Sequence, residues 1–171
     1  MKREALYKVY QIILFLIYIG LMVFFAVKCI ETGVESQASS QKVVDTTAVV
    51  INQVAGEGTV DPLDSSFQNF VRKFIGHYGF FVLLGIVSIL FHLSFNDKYN
   101  DYILVSVSYG VGITYAVLSE FWLEGSTNGR GASWKDVGID TLGFMTVSFI
   151  IVLIYYLIKL KKQKVIKKNA D

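Results

Sequence analysis

Seven ionisable residues stand inside or against apolar runs that have no ordinary use for them. Arg72, Lys73 and His77 open one run in "VRKFIGHYG". Glu120 closes another in "LSEFWLEG", and Arg130, Asp136 and Asp140 lead into a third in "NGRGASWKDVGID". Spacings of four recur in Lys73/His77, Glu120/Glu124 and Asp136/Asp140, which puts each pair on one face of a helix. A bare glutamate near a bilayer edge costs about 2.5 kcal/mol or more, so Glu120 needs a cation, a hydrogen bond or a proton. Two chemistries fit such a set. In one, Arg72, Lys73 and Arg130 hold an anionic headgroup or phosphate, while Glu120, Asp136 and Asp140 pair with the cations and orient them. His77 then serves as hydrogen-bond donor or proton carrier. In the other, His77, Glu120 and Asp140 take a divalent metal that activates water or a phosphate ester. The sequence shows no metal-ligand spacing, so neither metal nor other cofactor is expected. The same three residues are the candidates for acid–base catalysis. A structural charge network holding helices together is the plainer competitor.

Local signals offer some of these residues a simpler job. Ser133 followed three positions on by Asp136 reads as a helix cap. Arg72 and Lys73 read equally well as side chains snorkelling to lipid phosphates. Gly129 and Gly131 flank Arg130 and let the backbone turn tightly there.

The elements that must position these residues are hydrophobic helices. Of 171 residues, 53% are hydrophobic and 18% charged, against about 25% charged in soluble domains. Four runs reach the roughly 20 residues that a bilayer demands: 9–27, 74–95, 102–123 and 137–158. The first exceeds the h-region of a signal peptide, about 7–15 residues, and reads as a retained helix. A net charge of +2 gives no field to steer nucleic acid, and the single cysteine, Cys29, allows no internal disulfide.

Lysine and arginine cluster at Lys2, Arg3 and Lys8 and again along the basic tail 159–171, which places both termini in the cytoplasm. The segment 28–73 and the stretch 124–136 then lie outside. In the former, Val43, Thr47, Val50, Ile51 and Val54 have the spacing of an amphipathic surface helix, although their β-branched character also suits a short strand. Ser106/Gly110 and Ser108/Gly112 are small pairs suited to close helix packing. The expected architecture is all-α, a single 1–171 domain forming an integral membrane four-helix bundle. The start of the second span, the end of the third and the start of the fourth share the outer face, where the seven residues can meet.

"RKFIGHYGFFVLLG" and "TYAVLSEFWLEGSTNGRGASWKDVGIDTLG" together resemble the VanZ-like family, and "ESQASSQ" is similar to that family's Ser-Gln-rich stretch after the first helix. Ser119, Leu123 and Asn128 stand where the family often has Asp, Gln and Pro. The resemblance covers nearly the whole chain. It implies a multi-pass protein of the bacterial plasma membrane acting near cell-wall precursors of the cell envelope, in a family linked to teicoplanin resistance. The resulting expectation is a protein that binds an anionic lipid or lipid-linked envelope ligand at the outer leaflet. Its expected partners are membrane lipids and a lipid-linked cell-wall precursor, with no nucleic acid and with homo-oligomerisation left open. The alternative is a membrane hydrolase or transferase acting on a lipid-linked or peptidoglycan intermediate. Neither Gly-x-Ser-x-Gly nor His-Glu-x-x-His is present, so the reading leans away from an enzyme.

Overall fold

The computed structural model describes residues 2–168. Met1 and residues 169–171 of the basic tail lie outside the described residues, as do the side chains of Lys2, Arg3, Lys167 and Lys168. Every regular element among the described residues is helical: α1 (Lys2–Cys29), α2 (Gly33–Ala55), α3 (Ser65–Val71), a π-helical stretch (Arg72–Tyr78), α4 (Gly79–Leu93), α5 (Asp101–Leu118), a second π-helical stretch (Ser119–Glu124) and α6 (Trp134–Lys168). They join into four rods long and apolar enough to cross a membrane: Glu4–Cys29, Ser65–Leu93, Asp101–Glu124 and Trp134–Ile166.

The rods outrun the apolar stretches because helical hydrogen bonding continues past the hydrophobic residues to the nearest cap. Asp64 accepts from the Ser66 amide at 3.0 Å and starts the second rod well before Phe74. Asn100 accepts from the Tyr102 amide at 2.9 Å and starts the third. The last rod runs on into the lysine-rich tail.

Helix α4 lies at the centre and packs against α1, α5 and α6. Phe81, Leu84, Ala116 and Phe144 are fully enclosed among them. Glycine sets the distance of closest approach. A Cβ on Gly143 would stand 2.5 Å from the Tyr78 carbonyl oxygen, and one on Gly85 would stand 2.6 Å from that of Phe144. The Phe144 ring fills the space that a side chain on Gly112 would need. Ser108 and Gly112 are both buried, and Ser108 shares a 2.9 Å hydrogen bond with Ser88 across the helices. The other small pair, Ser106/Gly110, faces outward. Outward apolar side chains such as Leu16, Ile103 and Phe149 stay exposed, as lipid-facing residues do.

The segment between the first two rods is helical rather than extended. A capping box starts α2: the Thr32 amide donates to Glu35 Oε2 at 2.9 Å, and the Glu35 amide donates to Thr32 Oγ1 at 3.4 Å. The Thr32 amide and hydroxyl bonds hold the Glu35 carboxyl below its ordinary range. The stripe that suits an amphipathic surface helix divides between two faces, with Thr47 and Ile51 half-buried. Val44 and Ala48 are buried against Phe67 and Val71, with Ile51 beside them. Val43, Val50 and Val54 instead remain exposed on another face. Asn52 then bonds both ways to the Val60 backbone, at 3.0 and 2.9 Å, and turns the chain back toward α3.

At the end of the bundle away from α2, Asp101 ion-pairs with Lys159 and accepts from the Tyr155 hydroxyl at 3.2 Å. The Ser94 carbonyl accepts from Tyr7 at 2.5 Å and Gln11 at 2.7 Å. These bonds tie α1 to the end of α4, and α5 to α6.

The glycine contacts make a simple stability test. Gly143→Ala forces a Cβ against backbone and should cost about 1–3 kcal/mol. Gly138→Ala, with nothing within 4 Å of the new atom, should be neutral or stabilising by up to about 1 kcal/mol. Thermal unfolding of the two variants in detergent, followed by fluorescence-detected size exclusion, measures the difference.

Candidate functional site

The seven residues converge at one end of the bundle, and two irregularities in the helices help to place them. His77 stands in the π-helical stretch Arg72–Tyr78, and Glu120 in Ser119–Glu124. The Gly125 amide reaches five residues back to the Glu120 carbonyl at 2.9 Å, the i→i+5 bond of a π-turn. Such wide turns are rare and recur at functional sites, because they re-aim side chains that a regular helix would turn elsewhere.

Two pairs spaced by four meet as a two-rung ladder. Lys73 Nζ lies 2.6 Å from Asp136 Oδ1, and His77 Nδ1 lies 3.2 Å from Asp140 Oδ1. Both helices leave the same end of the bundle in the same direction, so the earlier residue of each pair meets the earlier residue of the other. Lys73 is partly exposed, whereas His77 and Asp140 are buried. The Phe25 ring stands edge-on to the imidazole at 5.8 Å.

Glu124, not one of the seven, joins the site between Arg130 and His77. Its Oε1 accepts from Arg130 Nη2 at 2.5 Å and lies 3.9 Å from His77 Nε2. The signal that could have found it was its place four residues after Glu120, on the same face. Arg130 also donates from Nη1 to the Lys28 carbonyl at 2.9 Å and the Cys29 carbonyl at 3.4 Å. It therefore clamps the end of α1 as well as neutralising Glu124. The turn that delivers Arg130 rests on Gly129, whose φ of +79° suits glycine. That turn also docks on the start of α2, where the Gly33 amide donates to the Asn128 carbonyl at 3.1 Å.

The capping box expected from Ser133 and Asp136 does not form. Asp136 turns to Lys73 instead, and the Ser133 amide donates to Glu120 Oε1 at 2.8 Å. A carboxylate from a neighbouring rod thus does what the third helical residue was expected to do. Ser133 Oγ keeps part of the cap by accepting from the Lys135 amide at 3.2 Å.

Arg72 differs from the other cations. It is exposed and makes no ion pair or side-chain hydrogen bond among the described residues. Two openings meet beside it. One is a polar pocket of about 790 Å³ under the start of α2, lined by Thr32, Ser36, Gln37, Arg72, Arg130 and Asp136 among others. The other is an apolar groove of about 390 Å³, walled by Phe24, Phe25, Val43, Ile75, Phe80 and Leu83. Arg72, Glu124 and Arg130 line both openings, and His77 lines the groove.

The chain matches no protein-family model, no curated protein and no solved structure.

The Arg130–Glu124 pair can be weighed directly. Its side chains are only 9% and 8% exposed. Breaking such a buried pair from one side costs about 3–5 kcal/mol, because it leaves an uncompensated charge. Arg130→Met should therefore lose most of its thermal stability, and Arg130→Met with Glu124→Leu should recover much of it. A double-mutant cycle on unfolding midpoints reads the coupling.

Proposed function

We propose that this multi-pass membrane protein binds an anionic lipid, or a lipid-linked envelope ligand, at the outer leaflet of a bacterial plasma membrane. The observation that carries this reading is the join between the apolar groove and the polar pocket at Arg72. A ligand with an acyl or prenyl tail and an anionic head needs such a site: aromatic and aliphatic walls for the tail, and a cation with hydrogen-bond donors for the head. Arg72 is the cation free to take the head. Lys73 and Arg130 already hold Asp136 and Glu124, so their part is to fix the carboxylates and the turn around the pocket. The resemblance of these blocks to the VanZ-like family supports the same setting, close to cell-wall precursors and to the glycopeptide response.

The orientation rests on the lysines and arginines at both ends of the chain. On that basis the site end faces outward. A green fluorescent protein fused to the C-terminus should fluoresce, and an alkaline phosphatase fused there should stay inactive. The opposite pair of results would put the site in the cytoplasm.

The His77–Asp140 hydrogen bond favours one second reading. A carboxylate that orients an imidazole lining a ligand groove is the arrangement of a general base. A membrane hydrolase or transferase acting on a lipid-linked intermediate would use it. Turnover of such a substrate by purified protein, lost in His77→Ala, would select this reading.

Native mass spectrometry of the protein extracted with its own lipids tests the binding reading. The wild type should retain an anionic lipid or lipid-linked phosphate, and Arg72→Ala should reduce its occupancy about tenfold, the value of one charge-assisted hydrogen bond of about 1.5 kcal/mol. Retention of neutral lipids alone, unchanged by Arg72→Ala, would refute it.

A further inference from the structure

Charge accounting at the site leaves a remainder. Four carboxylates are buried there: Glu120, Glu124, Asp136 and Asp140. Arg130 neutralises Glu124 at 2.5 Å, and Lys73 neutralises Asp136 at 2.6 Å. Glu120 and Asp140 are left with no lysine or arginine among the described residues; His77, which lines the groove, reaches Asp140 alone of the two as an ion-pair partner. Two buried carboxylates without a fixed cation are costly in a low-dielectric setting. One divalent cation matches their summed charge.

Geometry points the same way. His77, Glu120 and Asp140 each offer a ligand atom, and these atoms all lie within 4.8 Å of one another. Donors around a tetrahedral ion stand about 2.0–2.2 Å from it and so about 3.3–3.6 Å apart, and a closure of about 1 Å would bring the trio to that spacing. The second observation is independent of the clustering. Asp140 Oδ2 is buried without a hydrogen-bond partner, on a side chain only 1% exposed. Its sister oxygen stands 3.2 Å from His77 Nδ1, the nitrogen that would exchange that hydrogen bond for the ion. A free carboxylate oxygen in that position is a donor looking for a Lewis acid.

We propose that His77, Glu120 and Asp140 bind a divalent transition-metal ion. One imidazole and two carboxylates make a mixed nitrogen–oxygen set. The imidazole disfavours calcium and magnesium, and the lack of a thiolate disfavours soft ions such as copper(I). Zinc and manganese are the ions the set suits. Glu124 stays with Arg130 on the far side of the imidazole, and the Ser133 amide steadies Glu120 as an outer partner of a ligand. The three ligands come from three different rods, so the ion would also pin those rods together at one end. This site goes beyond lipid binding and does not need it, since delipidated protein should hold the ion equally well.

The test is metal analysis of the full chain, purified in detergent without chelator and freed of lipid. Inductively coupled plasma mass spectrometry should find about one zinc or manganese per chain. Protein stripped with a chelator should lose thermal stability and regain it when zinc or manganese, but not magnesium, is restored. His77→Ala and Asp140→Asn should hold metal only at background and show no response to either ion. Should either variant elute as aggregate, Glu120→Gln carries the same expectation, and stripping and reloading the wild type needs no variant at all. Background metal in the wild type, together with no stabilisation of the stripped protein by either ion, would overturn the proposal and leave the two carboxyls as protonated groups.

Discussion

Charge compensation for buried carboxylates governs one end of this molecule. A carboxylate taken out of water must find a cation, a donor or a proton nearby, and a helical bundle offers few loose groups to supply one. Glu120, Glu124, Asp136 and Asp140 are all buried at that end, and much of the local architecture answers them. The loop after the third rod turns through Gly129 so that Arg130 can reach Glu124. Lys73 stands about two turns inside the second rod, where it spends its charge on Asp136. Even the start of α6 is bent to the same need, since its first free amides include Ser133, which donates to Glu120.

The two π-helical stretches follow from that constraint. A π-turn gives up regular i→i+4 bonding, so it persists only where something else holds the altered side-chain directions in place. In Arg72–Tyr78 that role falls to the ladder with Asp136 and Asp140. In Ser119–Glu124 it falls to the Ser133 amide and the Arg130 guanidinium. Backbone contact between Gly143 and Tyr78 brings α6 close enough for the ladder to span. Close packing and charge pairing thus support each other, and neither would hold its geometry alone.

Much of this was legible in the residues, and what was not has identifiable causes. The four rods follow from hydrophobic length, and the ladder follows from two spacings of four on helices that start at the same end. The π-turns have no sequence signature, because the groups that stabilise them lie on other rods. For the same reason Ser133 and Asp136 read as a self-contained cap: the local pattern was sound, but Lys73 and Glu120 offered each of them a partner from elsewhere. Arg130 read as a hand extended to a ligand. The carbonyls of Lys28 and Cys29, far away in sequence, turn it into a clamp. In α2, both apolar stripes have helical spacing, and only the positions of Phe67 and Val71 decide that Val44 and Ala48 go inward.

The outward stripe of α2 bears on what the site can accept. Val43, Val50 and Val54 are exposed on a helix that roofs the polar pocket, and Val43 also lines the apolar groove. A helix that shows valines outward and covers polar groups beneath suits a position in the headgroup layer, neither in bulk water nor in hydrocarbon. On that reading the groove between α1, α2 and α4 opens toward acyl chains, and the pocket under Thr32 and Ser36 opens toward headgroups. A small water-soluble anion would use only the pocket and would gain nothing from Phe24, Phe80 and Leu83. A plain hydrocarbon would use only the groove and would leave Arg72 unpaired. Under the proposed function, such a site would favour molecules that carry both parts, with tail and head jointly responsible for affinity.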